Sequence, residues 1–377
     1  MGDPDSRTAQ PATGVEALVR LRMMGVHVPH QARGGRAGGG TRPSRSTLHR
    51  LLAELGLLRG EISDVHWYTA RRPVARVGFT GAEPLVLKWL DGTELETDNE
   101  VWALTLLDGL PLPPGLRSAL PRLLGTTADG GVQAFAHIGD SVTWAQQAAA
   151  GAAPDAGTAF DALGACLADL HALPVREHAA RHPDRHVRFP IPSMTRLTPR
   201  EYALGYGTDF AEYAAVMQAI DADLAGLRDS WAPSAYIHFD LRDDNVLFGA
   251  AHPAVWIIDW ELAGFGDPGY DVGTVAGQML CHRIPALRVN DSGALTDALA
   301  ATGRFLRAYQ ERSGATEEAI LRALRFAGVF LLLNALGRLE KVGSLGRVGH
   351  LYLLIGRQLV QRPEVCRAAL PGRRGAA

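Results

Sequence analysis

The stretch YIHFDLRDDNVLF, residues 236–248, concentrates polar side chains between two hydrophobic, strand-like ends. His238, Asp240 and Asn245 have the spacing H-x-D-x-x-x-x-N, and the apolar run that follows ends in Asp259. A carboxylate at the start of such a loop can accept the proton of an attacking hydroxyl, while an amide and a second carboxylate offer oxygen atoms to Mg²⁺. A polar hairpin turn would explain the loop alone, but Asp259 at this offset favours a phosphoryl-transfer site.

The other charged residues of the loop have no catalytic role in this hypothesis. We expect Asp243 and Asp244 to be solvated, and Arg242 to lie at the surface or to brace the loop. His238 is expected to support the loop without contacting a substrate.

The first half of the chain contains a candidate phosphate contact. Three short β-rich runs end in PLVLKWL, residues 84–90, which holds Lys88, and only Lys88 and Lys341 among the 38 basic residues are lysines. A kinase-like site uses a lysine in the third strand and a glutamate on the next helix to orient it. Glu100 fits this second role.

The helix that carries Glu100 is predicted over about 98–108, opening at Asp98 or Asn99, with Glu94 and Glu96 as alternative partners of Lys88. A helix also precedes the strands, and Ser46 or Thr47 is the expected cap. After Gly139 the strand signals nearly stop, and helical spacing dominates. Strands segregated from helices predict an α+β fold.

Composition excludes several classes of function. The net charge of −2 gives no basic field for nucleic acid. Cys166, Cys281 and Cys366 lie far apart, which argues against a disulfide framework and fits a reducing compartment. The apolar runs are shorter than a membrane span requires, and the N-terminus lacks a signal-peptide core. We therefore expect a soluble cytoplasmic protein without a nucleic-acid or membrane partner.

The chain resembles the aminoglycoside phosphotransferase family, the small-molecule branch of the protein-kinase-like fold. IHFDLRDDNVLF is similar to the catalytic loop of that family, IIDWELAGFGDPGYDVG to its metal-binding strand and G-D-P-x-x-D segment, and LADLHAL to the helix before the loop. The resemblance implies a bilobal fold, with a β-rich N-lobe that contains one main helix and a mostly helical C-lobe. The predicted domains are a largely disordered extension with a possible short helix (1–46), a nucleotide-binding N-lobe (47–138) and a catalytic, acceptor-binding C-lobe (139–377).

The same resemblance implies roles for individual residues. Asp240 would be the catalytic base, and Asn245 and Asp259 the Mg²⁺ ligands. Lys88, oriented by Glu100, would contact the phosphates of ATP or GTP, and Asp271 and His238 would support the loop structurally. The adenine would bind at the hinge strand, whose predicted contact residues are Phe135, Ala136, His137 and Ile138.

Two features depart from the family pattern. The family usually has a glycine after the histidine of the loop, where this chain has Phe239. The turn between the first two strands contains no glycine, and its Arg71 and Arg72 either contact phosphates or are simply exposed.

The sequence leaves the identity of the phosphate acceptor open. Asp209, Glu212, Asp221 and Asp223 would suit a polycationic aminoglycoside, but residues 281–377 carry more arginines than acids, and solvated helix faces explain most of both sets. One hypothesis is the hydroxyl of an antibiotic-like small molecule. Another is Ser or Thr of a precursor peptide with a pathway protein as partner, because the DWELAGFGDPGYDVGTV pattern is similar to phosphotransferases of class V lanthipeptide-like pathways. A third is a pseudokinase, a nucleotide-binding partner protein without turnover.

Overall fold

The computed structural model describes most of the chain, in seven segments. These are residues 42–68, 73–90, 94–150, 158–190, 208–249, 254–284 and 292–370. Arg71 and Arg72, and the extension up to residue 41 with its expected short helix, lie outside the described residues.

A five-stranded antiparallel sheet dominates the first part, in the order β1-β2-β3-β5-β4. Its strands are β1 (Ile62–Trp67), β2 (Val74–Phe79), β3 (Ala82–Trp89), β4 (Leu123–Thr126) and β5 (Val132–Ala136). Successive side chains of a strand point to opposite faces. Leu85 and Leu87 of β3 are therefore buried together on one face, and Lys88 lies on the other.

Helix α1 (Arg45–Glu54) covers the apolar face of this sheet. It buries Leu48 and Leu52 in one cluster with Leu85 and Leu87. The cap is Ser44, whose hydroxyl accepts the backbone N–H of Thr47 at 3.2 Å, so the expectation of Ser46 or Thr47 was wrong. The helix begins one residue before Ser46 and therefore takes both predicted caps into its first turn.

Helix α2 (Glu94–Asp108) carries Glu100 and is followed by the short α3 (Pro114–Ala119). Helix α2 begins earlier than the predicted start at Asp98 or Asn99. Acidic residue types favour the first turn of a helix, and the sequence before Asp98 contains Glu94 and Glu96. Asn99 is therefore a helical residue and not a cap.

The second part of the chain is mostly helical. Its helices are α4 (Trp144–Ala149), α5 (Thr158–His171), α6 (Arg176–Arg181), α7 (Thr208–Ala219), α8 (Asp221–Asp229), α9 (Pro268–Arg283), α10 (Ser292–Ser313), α11 (Glu317–Val342), α12 (Gly346–Gln361) and α13 (Pro363–Ala369). Segregation of the sheet from the helices confirms the α+β prediction.

Short strands within the helical part flank the loop that contains His238, Asp240 and Asn245. They are β6 (Ser141–Thr143), β7 (Ala235–Ile237), β8 (Val246–Gly249), β9 (Val255–Ile257) and β10 (Gly264–Gly266). They form a β6-β8-β9 sheet and a β10-β7 pair. Strand β6 was not predicted, since three residues are too few to show alternation.

Helix α9 lies at the centre of the helical part and is buried along most of its length. It approaches α11 closely at Gly273, where an added Cβ would lie 2.5 Å from the carbonyl oxygen of Ala323. Glycine permits this approach because it has no side chain, and the start of α9 is thereby fixed.

Among the residues that the structure describes, one helical segment, Glu317–Leu339 of α11, has the length and apolar composition that a membrane span requires. In the most apolar stretch of 18 residues within this helix, 72% of the residues are buried inside the protein. Such burial is typical of a core helix, so the segment is weak evidence for a membrane span.

Candidate active site

The loop between β7 and β8 is tied to the neighbouring strand β9 by His238. This side chain is fully buried, and its Nε2 donates to the carbonyl of Ile258 at 2.9 Å. Its Nδ1 accepts the backbone N–H of Asp240 at 3.3 Å. His238 therefore sets the backbone of the loop from inside the protein.

Asp271, in the first turn of α9, holds the other side of the loop. Its buried carboxylate accepts the backbone N–H groups of His238 at 2.7 Å and of Phe239 at 2.9 Å. Nε2 of His171 lies 3.4 Å from the same carboxylate, and its Nδ1 lies 3.1 Å from the hydroxyl of Tyr309. His171 was not predicted as a contact of Asp271, although its place in LADLHAL was a signal.

Phe239 has a positive φ of 69°, in the left-handed region that favours glycine. This geometry explains why a glycine would suit the position. The Phe239 ring packs against the ring of Tyr270 with a centroid distance of 4.9 Å. Phenylalanine rarely adopts a left-handed conformation. Here the ring contact with Tyr270 and the hydrogen bond to Asp271 stabilise it.

Asp240 is paired with Arg242 inside the loop. The Nε of Arg242 donates to Oδ1 of Asp240 at 2.8 Å and its Nη2 donates to Oδ2 at 3.0 Å. Burial raises the pKa of the Asp240 carboxyl, and the Arg242 guanidinium opposes this shift. Arg242 is only 16% exposed, so of the two expected alternatives it braces the loop, through Asp240, and does not lie at the surface.

The two remaining acids of the loop differ from each other. The Asp243 carboxylate lies 2.9 Å from Nε2 of His282 on α9 and is 19% exposed, so the expectation of a solvated side chain was wrong for it. Asp244 is exposed, as expected. The distant residue His282 could not be paired with Asp243 from the sequence.

Asn245 and Asp259 are brought together by the pairing of β8 with β9. Val246 lies opposite Ile257 in this ladder, and the N–H of Ile258 donates to the carbonyl of Asn245 at 2.9 Å. Asn245 therefore ends the loop beside the residue that precedes Asp259. Asp259 itself has a φ of 68°, a second strained residue of the kind that clusters at functional sites.

Lys88 contacts a group of three carboxylates. Its Nζ donates to Asp259, to Glu100 at 2.7 Å and to Glu261 at 3.2 Å. The predicted partner Glu100 is almost completely buried, and its Oε1 accepts the backbone N–H of Trp260 at 3.1 Å. Glu261 was not predicted, and its place two residues after Asp259 was the available signal.

The charges of this cluster are strongly coupled. Burial lowers the pKa of Lys88, but the carboxylates of Glu100, Asp259 and Glu261 outweigh it and raise the pKa. For Asp259 burial is outweighed by Lys88, and the pKa of the carboxyl falls. Burial raises the pKa of Glu100 despite Lys88. One ammonium group does not neutralise three carboxylates, so the cluster has an excess of negative charge.

The oxygen atoms at this place fit a magnesium ion. The amide nitrogen of Asn245 donates to the carbonyl oxygen of Asp240 at 2.8 Å and to its Oδ2 at 3.0 Å, which directs the amide oxygen away from Asp240. Asp259 adds a carboxylate. In the part of the chain described here, no group of three or more His, Cys, Asp or Glu side chains forms a complete metal site. Mg²⁺ takes one or two protein ligands besides phosphates and water, and Asn245 and Asp259 would supply that number.

The predicted hinge residues Phe135, Ala136, His137 and Ile138 lie at the end of β5 and just after it. The N–H of Ala136 donates to the carbonyl of Arg122 at 2.9 Å, and the carbonyl of Ile138 accepts the hydroxyl of Ser141 at 3.1 Å. These two backbone groups have partners within the protein, so the contact with adenine at this hinge stays a prediction.

The acids considered for a cationic acceptor contact helix α12 or the turn before it. Asp209 accepts the N–H of Leu345 at 2.9 Å, and Glu212 lies 2.9 Å from Nε2 of His350. Asp223 accepts a long hydrogen bond of 3.5 Å from Gln361. These side chains join helices and are not simply solvated, whereas Asp221 is exposed.

Solved structures of similar fold cover most of this chain. A choline/ethanolamine kinase family protein from Mesorhizobium loti matches with a TM-score of 0.54 and 18% identity, covering 86% of this chain and 98% of that chain. A putative fructosamine-3-kinase from Thermobifida fusca YX-ER1 matches with a TM-score of 0.52 and 18% identity, covering 84% and 99%. The gentamicin-APH(2")-IIa complex matches with a TM-score of 0.51 and 14% identity, covering 86% and 97%. At these identities the likeness shows the fold alone, and it confirms the predicted kinase-like fold.

No curated protein matches the chain. The model of the phosphotransferase enzyme family, by contrast, matches residues 41–324, which include Lys88, the loop around Asp240, and Asp259. The prediction of a phosphotransferase that acts on a hydroxyl group is confirmed at the level of the family. This chain belongs to the phosphotransferase enzyme family.

Proposed function

We propose that this protein is an Mg²⁺-dependent O-phosphotransferase that transfers the γ-phosphate of ATP or GTP to a hydroxyl of an antibiotic-like small molecule. The observation that supports the proposal is the convergence of Lys88, Asp240, Asn245 and Asp259, which come from β3, from one loop and from the segment just after β9. Phosphoryl transfer needs positioning and charge stabilisation more than covalent chemistry.

In this proposal Asp240 is the general base that accepts the proton of the acceptor hydroxyl. Its two oxygen atoms receive the Arg242 guanidinium, so the base is held in a fixed orientation and the pKa rise caused by burial is limited. Arg242 must leave room at one of these oxygen atoms when the acceptor binds.

Lys88 is proposed to bind the α- and β-phosphates, in an orientation set by Glu100. Asn245 and Asp259 would hold Mg²⁺ through the amide oxygen and the carboxylate. The ion would neutralise charge that develops on the phosphates during transfer. Its binding would also offset the excess negative charge around Lys88.

The choice of a small-molecule acceptor draws support from the similar structures, whose names refer to choline, ethanolamine, fructosamine and gentamicin. The contacts of Asp209, Glu212 and Asp223 with the C-terminal helices give less weight to an acid-lined aminoglycoside pocket. A precursor peptide of the lanthipeptide type and a pseudokinase are the outcomes that the experiment must separate.

The test is an acceptor panel with ATP or GTP and Mg²⁺, read by mass spectrometry as the gain of one phosphate. Panel members are kanamycin, gentamicin, choline, ethanolamine and serine-containing peptides. Products from kanamycin or gentamicin support the proposal, whereas products from choline or ethanolamine alone overturn the antibiotic-like acceptor. Products from peptides alone overturn it in favour of a peptide kinase, and nucleotide binding without any product supports the pseudokinase.

Asp240→Asn should lower turnover of any acceptor by about 10²–10⁴-fold, the contribution of a general base, while nucleotide binding is largely kept. Asp244→Asn is the matched control, because Asp244 is an exposed acid of the same loop, and it should keep wild-type turnover within about twofold. Near-wild-type turnover by Asp240→Asn would overturn the assignment of the base.

A further inference from the structure

Helix α2 presents a second polar residue to the segment that follows Asp259. The amide nitrogen of Asn99 donates to the carbonyl oxygen of Glu261 at 2.7 Å and to that of Ala263 at 3.0 Å. Asn99 is the neighbour of Glu100, which accepts the backbone N–H of Trp260 from the same segment. Two consecutive side chains of α2 therefore contact the turn after Asp259.

Arg185 approaches the same helix from the helical part of the protein. Its Nη1 donates to the amide oxygen of Asn99 at 2.8 Å. Its guanidinium carbon lies 5.0 Å from the ring centroid of Trp102, one turn further along α2. Arg185 is only 17% exposed, so both contacts are shielded from solvent.

These contacts define the rotation of α2 about its own axis. The amide nitrogen of Asn99 donates to the segment after Asp259, and its amide oxygen accepts a hydrogen bond from Arg185. The ring of Trp102 packs against the Arg185 guanidinium. A rotation of the helix that withdrew Glu100 from Lys88 would break the bonds of Asn99 to two carbonyl groups as well. Buried polar groups left without partners destabilise a structure, so such a rotation is opposed.

We propose that Asn99 and Arg185 are positioning residues that hold α2 in the one orientation where Glu100 reaches Lys88, so that the phosphate-binding lysine is aligned before nucleotide binds. This inference rests on the proposed function of Lys88. Asn99 and Arg185 act through the Lys88–Glu100 pair and do not themselves contact nucleotide.

The experiment measures the dissociation constant of a non-hydrolysable ATP analogue with Mg²⁺, or of its GTP counterpart if the wild type prefers it, by titration calorimetry. Asn99→Ala should weaken binding about tenfold, as expected when hydrogen bonds that position a charged partner are lost. Thr105→Ala, an exposed substitution on the same helix, is the matched control and should bind as the wild type does.

A double-mutant cycle with Glu100→Ala distinguishes positioning from a merely structural contact. If Asn99 acts through Glu100, the change Asn99→Ala should weaken binding less than about twofold in the Glu100→Ala background, because coupled residues are not additive. A structural contact that only holds the two parts of the protein together would give the same tenfold loss in both backgrounds, and that result would overturn the proposal.

A check of folding and the binding of nucleotide by the wild type separate failure of the variant from failure of the proposal. If Asn99→Ala does not fold by circular dichroism, Arg185→Lys takes its place in the same cycle, since it keeps the charge and loses the planar contact with Trp102. If the wild type binds no nucleotide, the proposed function itself fails. If the wild type binds and Asn99→Ala binds equally well, only the positioning role fails.

Discussion

At the scale of the residue, Phe239 combines a strained backbone with a side chain that packs against Tyr270. Its φ of 69° is unfavourable for any residue with a Cβ. The strain is balanced by the hydrogen bond from its N–H to Asp271 and by the contact of its ring with Tyr270. The strained backbone of Phe239 thus lies directly beside Asp240, the proposed general base.

Two substitutions at this position separate strain from packing. Phe239→Gly and Phe239→Ala both remove the ring, but only glycine relieves the left-handed conformation. The Gly variant should therefore be more stable than the Ala variant by about 1 kcal/mol, measured as the difference in free energy of unfolding in urea. Equal stability of the two variants would show that the backbone is not strained in solution.

The site residues differ in how far the sequence could predict them. Lys88 and its partner Glu100 followed from a strand lysine and a helix glutamate, and the structure joins them. The partners of Asn99, Arg242 and Asp243 could not be predicted in the same way. Each depends on which side chain the tertiary fold brings near, and this has no periodic signal in the sequence.

At the scale of the elements, close contact between helices depends on glycines at specific places. Gly273 of α9 faces the backbone of α11, with Ala323 O 2.5 Å from the position of an added Cβ. Gly226 of α8 has no atom within 4 Å of the corresponding position. The same residue type therefore serves packing in one helix and only reduces helix propensity in the other.

These two glycines give opposite expected effects for one substitution. Gly273→Ala should destabilise the protein by at least about 2 kcal/mol, because backbone atoms of α11 must move to admit the methyl group. Gly226→Ala should stabilise it by about 0.5–1 kcal/mol through helix propensity. The midpoints of thermal unfolding measure both, and a neutral Gly273→Ala would contradict the close approach.

Element types were predictable and element ends were not. Alternation in β2 and β3 and helical spacing in α5 gave the correct types. Helix α2 began earlier than expected, and β6 was missed. Helix ends and three-residue strands are set by their contacts, which a short window of sequence does not contain.

At the scale of the whole molecule, the Lys88 cluster joins the N-terminal sheet to the helical part. Lys88 and Glu100 come from the first part, whereas Asp259 and Glu261 come from the second. The α+β class followed from the order of strands and helices along the chain, but the excess of carboxylates at the junction became visible only in the structure.

Lys88→Met should destabilise the protein by about 3–5 kcal/mol at pH 7, because removal of one partner leaves buried charges uncompensated. The raised pKa of Lys88 means that its stabilising effect is complete below the pKa of an unfolded lysine, about 10.4, and is lost only as the pH rises through the raised value. The whole effect is therefore missing from the variant at neutral pH.

The deficit of Lys88→Met should shrink as the pH falls from 7 to 5, because without the Lys88 charge burial raises the pKa of the Glu100 and Asp259 carboxyls, which then bind protons. Unfolding in urea at several pH values measures this change. Glu100→Gln is the control, because it removes one of three negative charges and should cost much less. A pH-independent deficit would contradict a charge effect.

The ion pairs of Lys88 also have a consequence for the order in which the chain is made. Glu100 is 12 residues from Lys88, but Asp259 is 171 residues away. At about 5–20 residues per second, the ribosome needs on the order of ten seconds or more to add the intervening chain. During that time the lysine has its helix partner but lacks the carboxylates beyond β9, so the nascent sheet emerges with an incomplete charge cluster, and the site is finished only when the second half of the protein has been translated.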